Sequence, residues 1–209
     1  MSLSKLHAIL DVDVAARSGW GVLRLARAFL DGGARLIQLR AKTLPSGTFL
    51  EEAGRLVRAA RPYGAAVVVN DRVDLALLAG AAGAHVGQED LAPARARDLL
   101  GAEAIVGYST HSTGQLEAAM REPVTYVAVG PIFGTQTKDT GYAAVGLDLV
   151  RQAARLAGGR PVVAIGGITL ATAPEVIAAG ASGVAVIGDL LAGGDPERRV
   201  AAYCRALGL

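Results

Sequence analysis

The chain has 209 residues, 52% of them hydrophobic and 19% charged, with a net charge of +2. That apolar fraction excludes a disordered chain, and the length suits one large domain with a sizeable core. The basic residues are scattered, so nucleic acid is not an expected partner. No apolar run reaches the ~18 residues of a membrane span, and the N-terminus lacks a signal-peptide pattern. The one cysteine, Cys204, has no internal disulfide partner and is expected to pack on a late helix. A cytoplasmic protein is expected.

Short runs rich in valine and isoleucine alternate with alanine-rich helical segments. The expected strands are Leu6–Asp11, Ala34–Arg40, Ala66–Asn70, Gly83–Gly87, Ala104–Tyr108, Thr125–Val129, Pro161–Ile165 and Gly183–Ile187. Helices are expected near 21–31, 47–60, 72–80, 93–100, 113–121, 147–157, 173–179 and 195–207. Thr48…Glu51, Ser112…Gln115 and Thr172…Glu175 have capping-box spacing, and Pro93 and Pro174 sit where a first helical turn tolerates proline. Eight strand–helix units with little spare sequence predict an α/β fold of the (β/α)8 TIM-barrel type spanning 1–209. An open doubly wound sheet is the alternative, because the repeat alone does not show closure.

Polar residues gather after each apolar run. In Leu36-Ile37-Gln38-Leu39-Arg40-Ala41-Lys42, period-two alternation puts Gln38, Arg40 and Lys42 on one face, which a barrel turns inward. The next two strands end in Asn70-Asp71 and Gln88-Glu89-Asp90. Two carboxylates on neighbouring strands suit Mg²⁺, which takes one or two protein carboxylates and shares substrate phosphate oxygens. The competing reading is that Asp71 and Asp90 merely cap the helices that follow them.

Ser109 and His111 share a parity, which invites a nucleophile–base reading, yet no Gly-x-Ser-x-Gly elbow is present. Ser109 reads better as a donor to substrate. His85 reads as a hydrogen-bonded strand histidine, and His7 has no evident role. The densest cluster, Gly130-Pro131-Ile132-Phe133-Gly134-Thr135-Gln136-Thr137-Lys138, suits wrapping an anion, and Gly134–Gly146 is the expected mobile lid. Ile165-Gly166-Gly167-Ile168 and Ile187-Gly188-Asp189 follow the last two strands, where barrels recurrently bind phosphate.

In this order the motifs resemble the thiamine-phosphate synthase family, from near residue 6 to about 190. The resemblance rests on Gln38-Leu-Arg40-Ala-Lys42, Asn70-Asp71-Arg72-Val-Asp74, Gly87-Gln-Glu-Asp90, Gly107-Tyr-Ser109-Thr-His111, the Gly130–Lys138 loop, Gly146-Leu147, Ala164-Ile-Gly-Gly167-Ile168 and Gly183-Val-Ala-Val186. It implies a (β/α)8 barrel that joins hydroxymethylpyrimidine diphosphate to a hydroxyethylthiazole phosphate with Mg²⁺ as cofactor. It also implies roles. Gln38, Arg40, Lys42 and Asn70 hold the pyrimidine diphosphate; Asp71 and Asp90 bind Mg²⁺; Ser109 and Lys138 contact the departing pyrophosphate. Thr135, Thr137, Gly167, Ile187 and Gly188 receive the thiazole phosphate, and Arg40, Lys42, Ser109 and Lys138 are the catalytic set. The partners are these small molecules, and a homo-oligomer is left open.

Many relatives carry serine and alanine where this chain has Gly188-Asp189, and an aspartate there is expected to oppose a bound phosphate unless it points away. A thiazole tautomerase of the same family is the nearest rival, with His111 as base. A non-catalytic thiazole-phosphate sensor and a sugar-phosphate barrel enzyme are the others. Neither tautomerisation nor sugar-phosphate chemistry accounts for the paired aspartates, and a sensor has no use for the ionising set.

Overall fold

The computed structural model describes residues 3–134 and 143–209. Eight parallel strands close into a barrel in chain order: β1 (Leu6–Asp11), β2 (Leu36–Arg40), β3 (Ala66–Asn70), β4 (Gly83–Val86), β5 (Ile105–Thr110), β6 (Tyr126–Val129), β7 (Val162–Ile165) and β8 (Gly183–Val186). Strand β8 pairs with β1, Leu6 lying opposite Val184, so the open-sheet alternative is excluded. The helices are α1 (Val12–Arg17), α2 (Val22–Asp31), α3 (Ser46–Ala60), α4 (Val73–Ala79), α5 (Pro93–Leu100), α6 (Thr113–Ala119), α7 (Gly146–Leu156), α8 (Ala173–Ala178) and α9 (Pro196–Leu207). None among the described residues is long and apolar enough to cross a membrane.

Strand alternation divides the core in two. Outward residues such as Leu6, Ala8, Leu10, Ile37, Leu39, Val67 and Val69 pack against the helices. Inward residues Ile9, Tyr126, Ala128, Val163 and Ala185 form a second, smaller cluster inside the barrel. Each helix presents one apolar stripe; on α2 it is Leu25, Ala26, Phe29 and Leu30, all buried, and burying each large one contributes roughly 1.5–3 kcal/mol. Cys204 packs as expected, its Sγ 3.3 Å from where a Cβ on Gly33 would sit, and burial pushes its thiol up.

Several boundaries differ from the sequence expectation for identifiable reasons. Strand β2 starts at Leu36 because the Ala34 N–H closes the end of α2 on the Phe29 carbonyl at 2.9 Å. Strand β5 runs on to Thr110 because Ser109 and Thr110 keep their pairing with Ala128 and Val129. Helix α1 was not expected: it leaves β1 without a loop, capped by Asp11, whose side chain accepts from the Val14 N–H at 3.0 Å. A 3-10 segment, Gly188–Gly194, follows β8.

Of the three capping boxes, Ser112 caps α6 by accepting from the Gln115 N–H. Gln115 reaches back one residue further than the motif requires, to the His111 N–H at 2.7 Å. Thr48 caps nothing, because α3 already begins at Ser46 after Pro45. Thr172 precedes α8 but spends its hydroxyl on Thr169, whose N–H it accepts at 3.0 Å.

Candidate active site

The carboxyl ends of the strands carry the polar residues. Arg40 ends β2 and pairs with Asp11, its register partner at the end of β1, which is 4% exposed. The Arg40 Nε is buried and makes no hydrogen bond, so one donor of the guanidinium remains unspent beside the pocket. Lys42, half-exposed above it, pairs with Asp71. Asn70 ends β3 and lines the barrel interior with Gln38.

Asp71 takes the left-handed conformation (φ 63°), rare for a residue with a Cβ, and is held there by its N–H donating to the His85 carbonyl at 2.7 Å. That turn aims its carboxylate away from α4, whose N-cap is Arg72 with no side-chain cap. Asp90 accepts from the Gly87 N–H at 2.7 Å and does not cap α5 either, whose N-cap is Ala92. The capping alternative therefore fails for both aspartates.

Burial raises the Asp90 carboxyl above its ordinary range, and the neighbouring Asp71 raises it further, partly offset by the Gly87 N–H and Lys42. Two carboxylates that repel each other in this way suit a divalent cation between them. No group of three or more ligating side chains occurs among the described residues, so a cation held by this pair would need further ligands from substrate or water.

Deeper in the barrel, the His85 Nε2 lies 2.8 Å from Ser109 Oγ and its Nδ1 lies 2.9 Å from the Tyr126 hydroxyl. Burial drives the Tyr126 phenol far above its ordinary value, and Gln38 offsets part of this. The His85 ring thus bridges the Tyr126 and Ser109 hydroxyls across β4, β5 and β6. Gly107, opposite both His85 and Tyr126 in register, makes room for them, since an added Cβ would lie 2.2 Å from the Tyr126 ring.

His7 sits below, edge-on to Tyr126 at 5.0 Å, with neither ring nitrogen hydrogen-bonded. Burial first, and His85 second, lower its pKa to about 3.

Two cavities open at this rim. One of about 490 Å³ is lined by Ser109, His111, Gly130, Gly166, Gly167 and Gly188 among others. A smaller one, about 40 Å³, is lined by Gln38, Arg40, Asn70, His85 and Tyr126. Both include Ser109, Ile165, Ala185 and Ile187, so the two share a wall that contains Ser109. Gly166 (φ 99°) and Gly167 (φ 65°) hold conformations that favour glycine, and a Cβ on Gly167 would lie 2.6 Å from the Gly134 carbonyl.

His111 also lines the larger cavity, where its Nδ1–H donates to the Gly130 carbonyl at 2.6 Å. Asp189, the residue expected to oppose a phosphate, is bonded instead to Arg199, Tyr203 and the Leu170 N–H. Thr135, Thr137, Lys138 and most of the expected lid lie outside the described residues.

Sequence reasoning missed Asp11, Tyr126, Arg199 and Tyr203; it read His85 as a hydrogen-bonded strand histidine, as observed, without naming Ser109 and Tyr126 as its partners. Only the strand register could have shown that His85 reaches the serine hydroxyl.

The model of the family described as thiamine monophosphate synthase matches residues 12–190. A thiamine-phosphate synthase of Koribacter versatilis is 42% identical over 209 residues, spanning 99% of this chain and 97% of that protein. A thiamine biosynthesis bifunctional protein of Symbiobacterium thermophilum is 47% identical over 169 residues, covering 81% of this chain and 35% of its own length. Among solved structures, a thiamine phosphate pyrophosphorylase from Pyrococcus furiosus superposes with a TM-score of 0.86 at 31% identity, covering 98% of this chain and 95% of that one. The matched stretch takes in β2 to β8 and with them Gln38, Arg40, Lys42, Asn70, Asp71, Asp90 and Ser109, and the chain belongs to the thiamine monophosphate synthase family.

Proposed function

We propose that the barrel mouth joins a pyrimidine bearing a methylene diphosphate to a hydroxyethylthiazole phosphate, releasing pyrophosphate and forming thiamine phosphate. The observation that carries this is the meeting of two cavities at Ser109. One is lined by Gln38, Arg40 and Asn70, close in sequence to the Lys42–Asp71 pair, and the other is walled by glycine loops suited to a phosphate.

The chemistry fits what the residues offer. The CH₂–O bond to diphosphate breaks, its electron pair leaves with pyrophosphate, and the ring amino group feeds the developing methylene cation. The thiazole nitrogen lone pair then forms the C–N bond. No net proton transfer is needed, so no strong base is required.

Arg40, Lys42 and Lys138 stabilise charge on the leaving group, and Ser109, oriented by His85, donates a hydrogen bond to it. Gln38 and Asn70 orient the pyrimidine in the smaller cavity. Thr135, Thr137, Gly167, Ile187 and Gly188 receive the thiazole phosphate. Asp71 and Asp90 would hold Mg²⁺, which when bound neutralises the diphosphate and eases its departure. The rest of catalysis is positioning of the two substrates and exclusion of water.

The test mixes the protein with both substrates and Mg²⁺ and follows thiamine phosphate. Product that disappears with EDTA supports the reading. A folded protein that makes none, yet interconverts thiazole phosphate tautomers, overturns it in favour of His111 chemistry.

A further inference from the structure

Asp189 stands at the lip of the phosphate cavity, where a bare carboxylate would repel a phosphate monoester. Its surroundings turn it to another use. Asp189 Oδ2 accepts from the Leu170 N–H at 3.0 Å, in the loop that follows β7 and contains Gly166 and Gly167. Arg199 of α9 places NH2 at 2.8 Å from both carboxylate oxygens, and its Nε donates to the Asp189 carbonyl at 3.1 Å. The Tyr203 hydroxyl, one helical turn on from Arg199, donates to the same carboxylate at 2.5 Å. Burial above all, and Asp189 next, push that phenol far up, so it remains a donor.

We infer that Asp189 is a positioning residue for the phosphate of the second substrate: one carboxylate ties the loop after β7, the segment after β8 and helix α9 into a fixed cradle. The pairing with Arg199 also cancels the charge that would otherwise face the phosphate, and the pair is partly buried, with side chains 14% exposed for Asp189 and 27% for Arg199. Residues from both tied segments, Gly166 and Gly167 on one side and Ile187 and Gly188 on the other, line the cavity. Their backbone N–H groups bind an anion well only while the two segments keep their spacing. The inference rests on the reading that thiazole phosphate occupies this cavity.

The experiment measures steady-state kinetics of the full chain carrying Asp189→Ala, Tyr203→Phe or Gly167→Ala, with each substrate varied in turn. Asp189→Ala is expected to raise KM for thiazole phosphate about fivefold or more, the scale of a lost buried hydrogen bond, with KM for the pyrimidine diphosphate held within about twofold. Tyr203→Phe should move the same parameter the same way but less, and it carries the comparison if the alanine variant does not fold.

An unchanged thiazole-phosphate KM in both latch variants, with a raised one in Gly167→Ala, overturns the latch and leaves the cradle standing. No rise in any variant overturns the cradle as well. Equal shifts in both KM values and kcat, with a fall in Tm, would mean that Asp189 only supports the fold, and that also overturns the inference.

Discussion

His7 is the group whose titration should be most visible in stability. It is fully buried, neither ring nitrogen has a hydrogen-bond partner of good geometry, and burial and His85 lower its pKa from 6.5 to about 3 against a smaller opposing pull from the Ser4 backbone. The unfolded chain takes up a proton on this imidazole below pH 6.5, whereas the folded chain does not until near pH 3. The unfolded state therefore binds more protons across that window, and stability falls as pH falls through it. Between pH 7 and pH 5 the linkage relation gives a loss of about 2 kcal/mol from His7 alone, a few degrees in Tm for a chain of this size.

His7→Phe removes the titration while keeping the edge-on ring contact with Tyr126. Phenylalanine is larger, so the variant's stability at any one pH mixes a packing change with the lost polar burial. The difference between two pH values cancels that mixture. Urea unfolding of both proteins at pH 7 and pH 5 should show wild type losing about 2 kcal/mol more than the variant across the interval. Equal losses in the two proteins would refute the reasoning, because His7 would then titrate alike in the folded and unfolded states.

Asp71→Ala or Asp90→Ala should each abolish Mg²⁺-dependent turnover while circular dichroism and Tm stay close to wild type; near-normal rates with unchanged metal dependence in both would sink the metal assignment. Gly107→Ala would drive a Cβ into the Tyr126 ring and the His85 Nδ1, at 2.2 and 2.4 Å, so it should cost about 1–3 kcal/mol in urea unfolding and slow turnover at saturating substrates. Asp11→Ala removes both the cap of α1 and the partner of Arg40, a loss of roughly 3–5 kcal/mol for a buried broken pair, read by thermal unfolding at neutral pH.

The strands were legible because valine and isoleucine runs of a parallel sheet end abruptly at polar residues, and Leu6–Asp11 and Ala66–Asn70 fall where that pattern places them. Helix α1 was hidden because its start signal, Asp11, is also the last residue of a strand. Part of the rim was legible, since strand order alone puts Asp71 beside Asp90. What stayed hidden is relational. Nothing near Asp11 or Asp189 says that the first finds Arg40 and the second finds Arg199 and Tyr203, because these partners come from other turns of the barrel. The same holds for the chain from Tyr126 through His85 to Ser109, which the register across β4, β5 and β6 creates.

The seam between β1 and β8 joins the beginning of the chain to nearly its end, a contact of very high sequence separation. Such a seam is entropically the last to close, and until it does β1 presents an unpaired edge to solvent. During synthesis, therefore, a nascent chain that has already made β2 to β5, with Arg40, Asp71, Asp90 and Ser109, still lacks the glycine loops after β7 and β8 and the helix that braces them. On the proposed reading, competence to bind the second substrate follows only once β7, β8 and α9 have been made. A protease that trims α9 should leave most of the catalytic inventory in place and yet silence the enzyme.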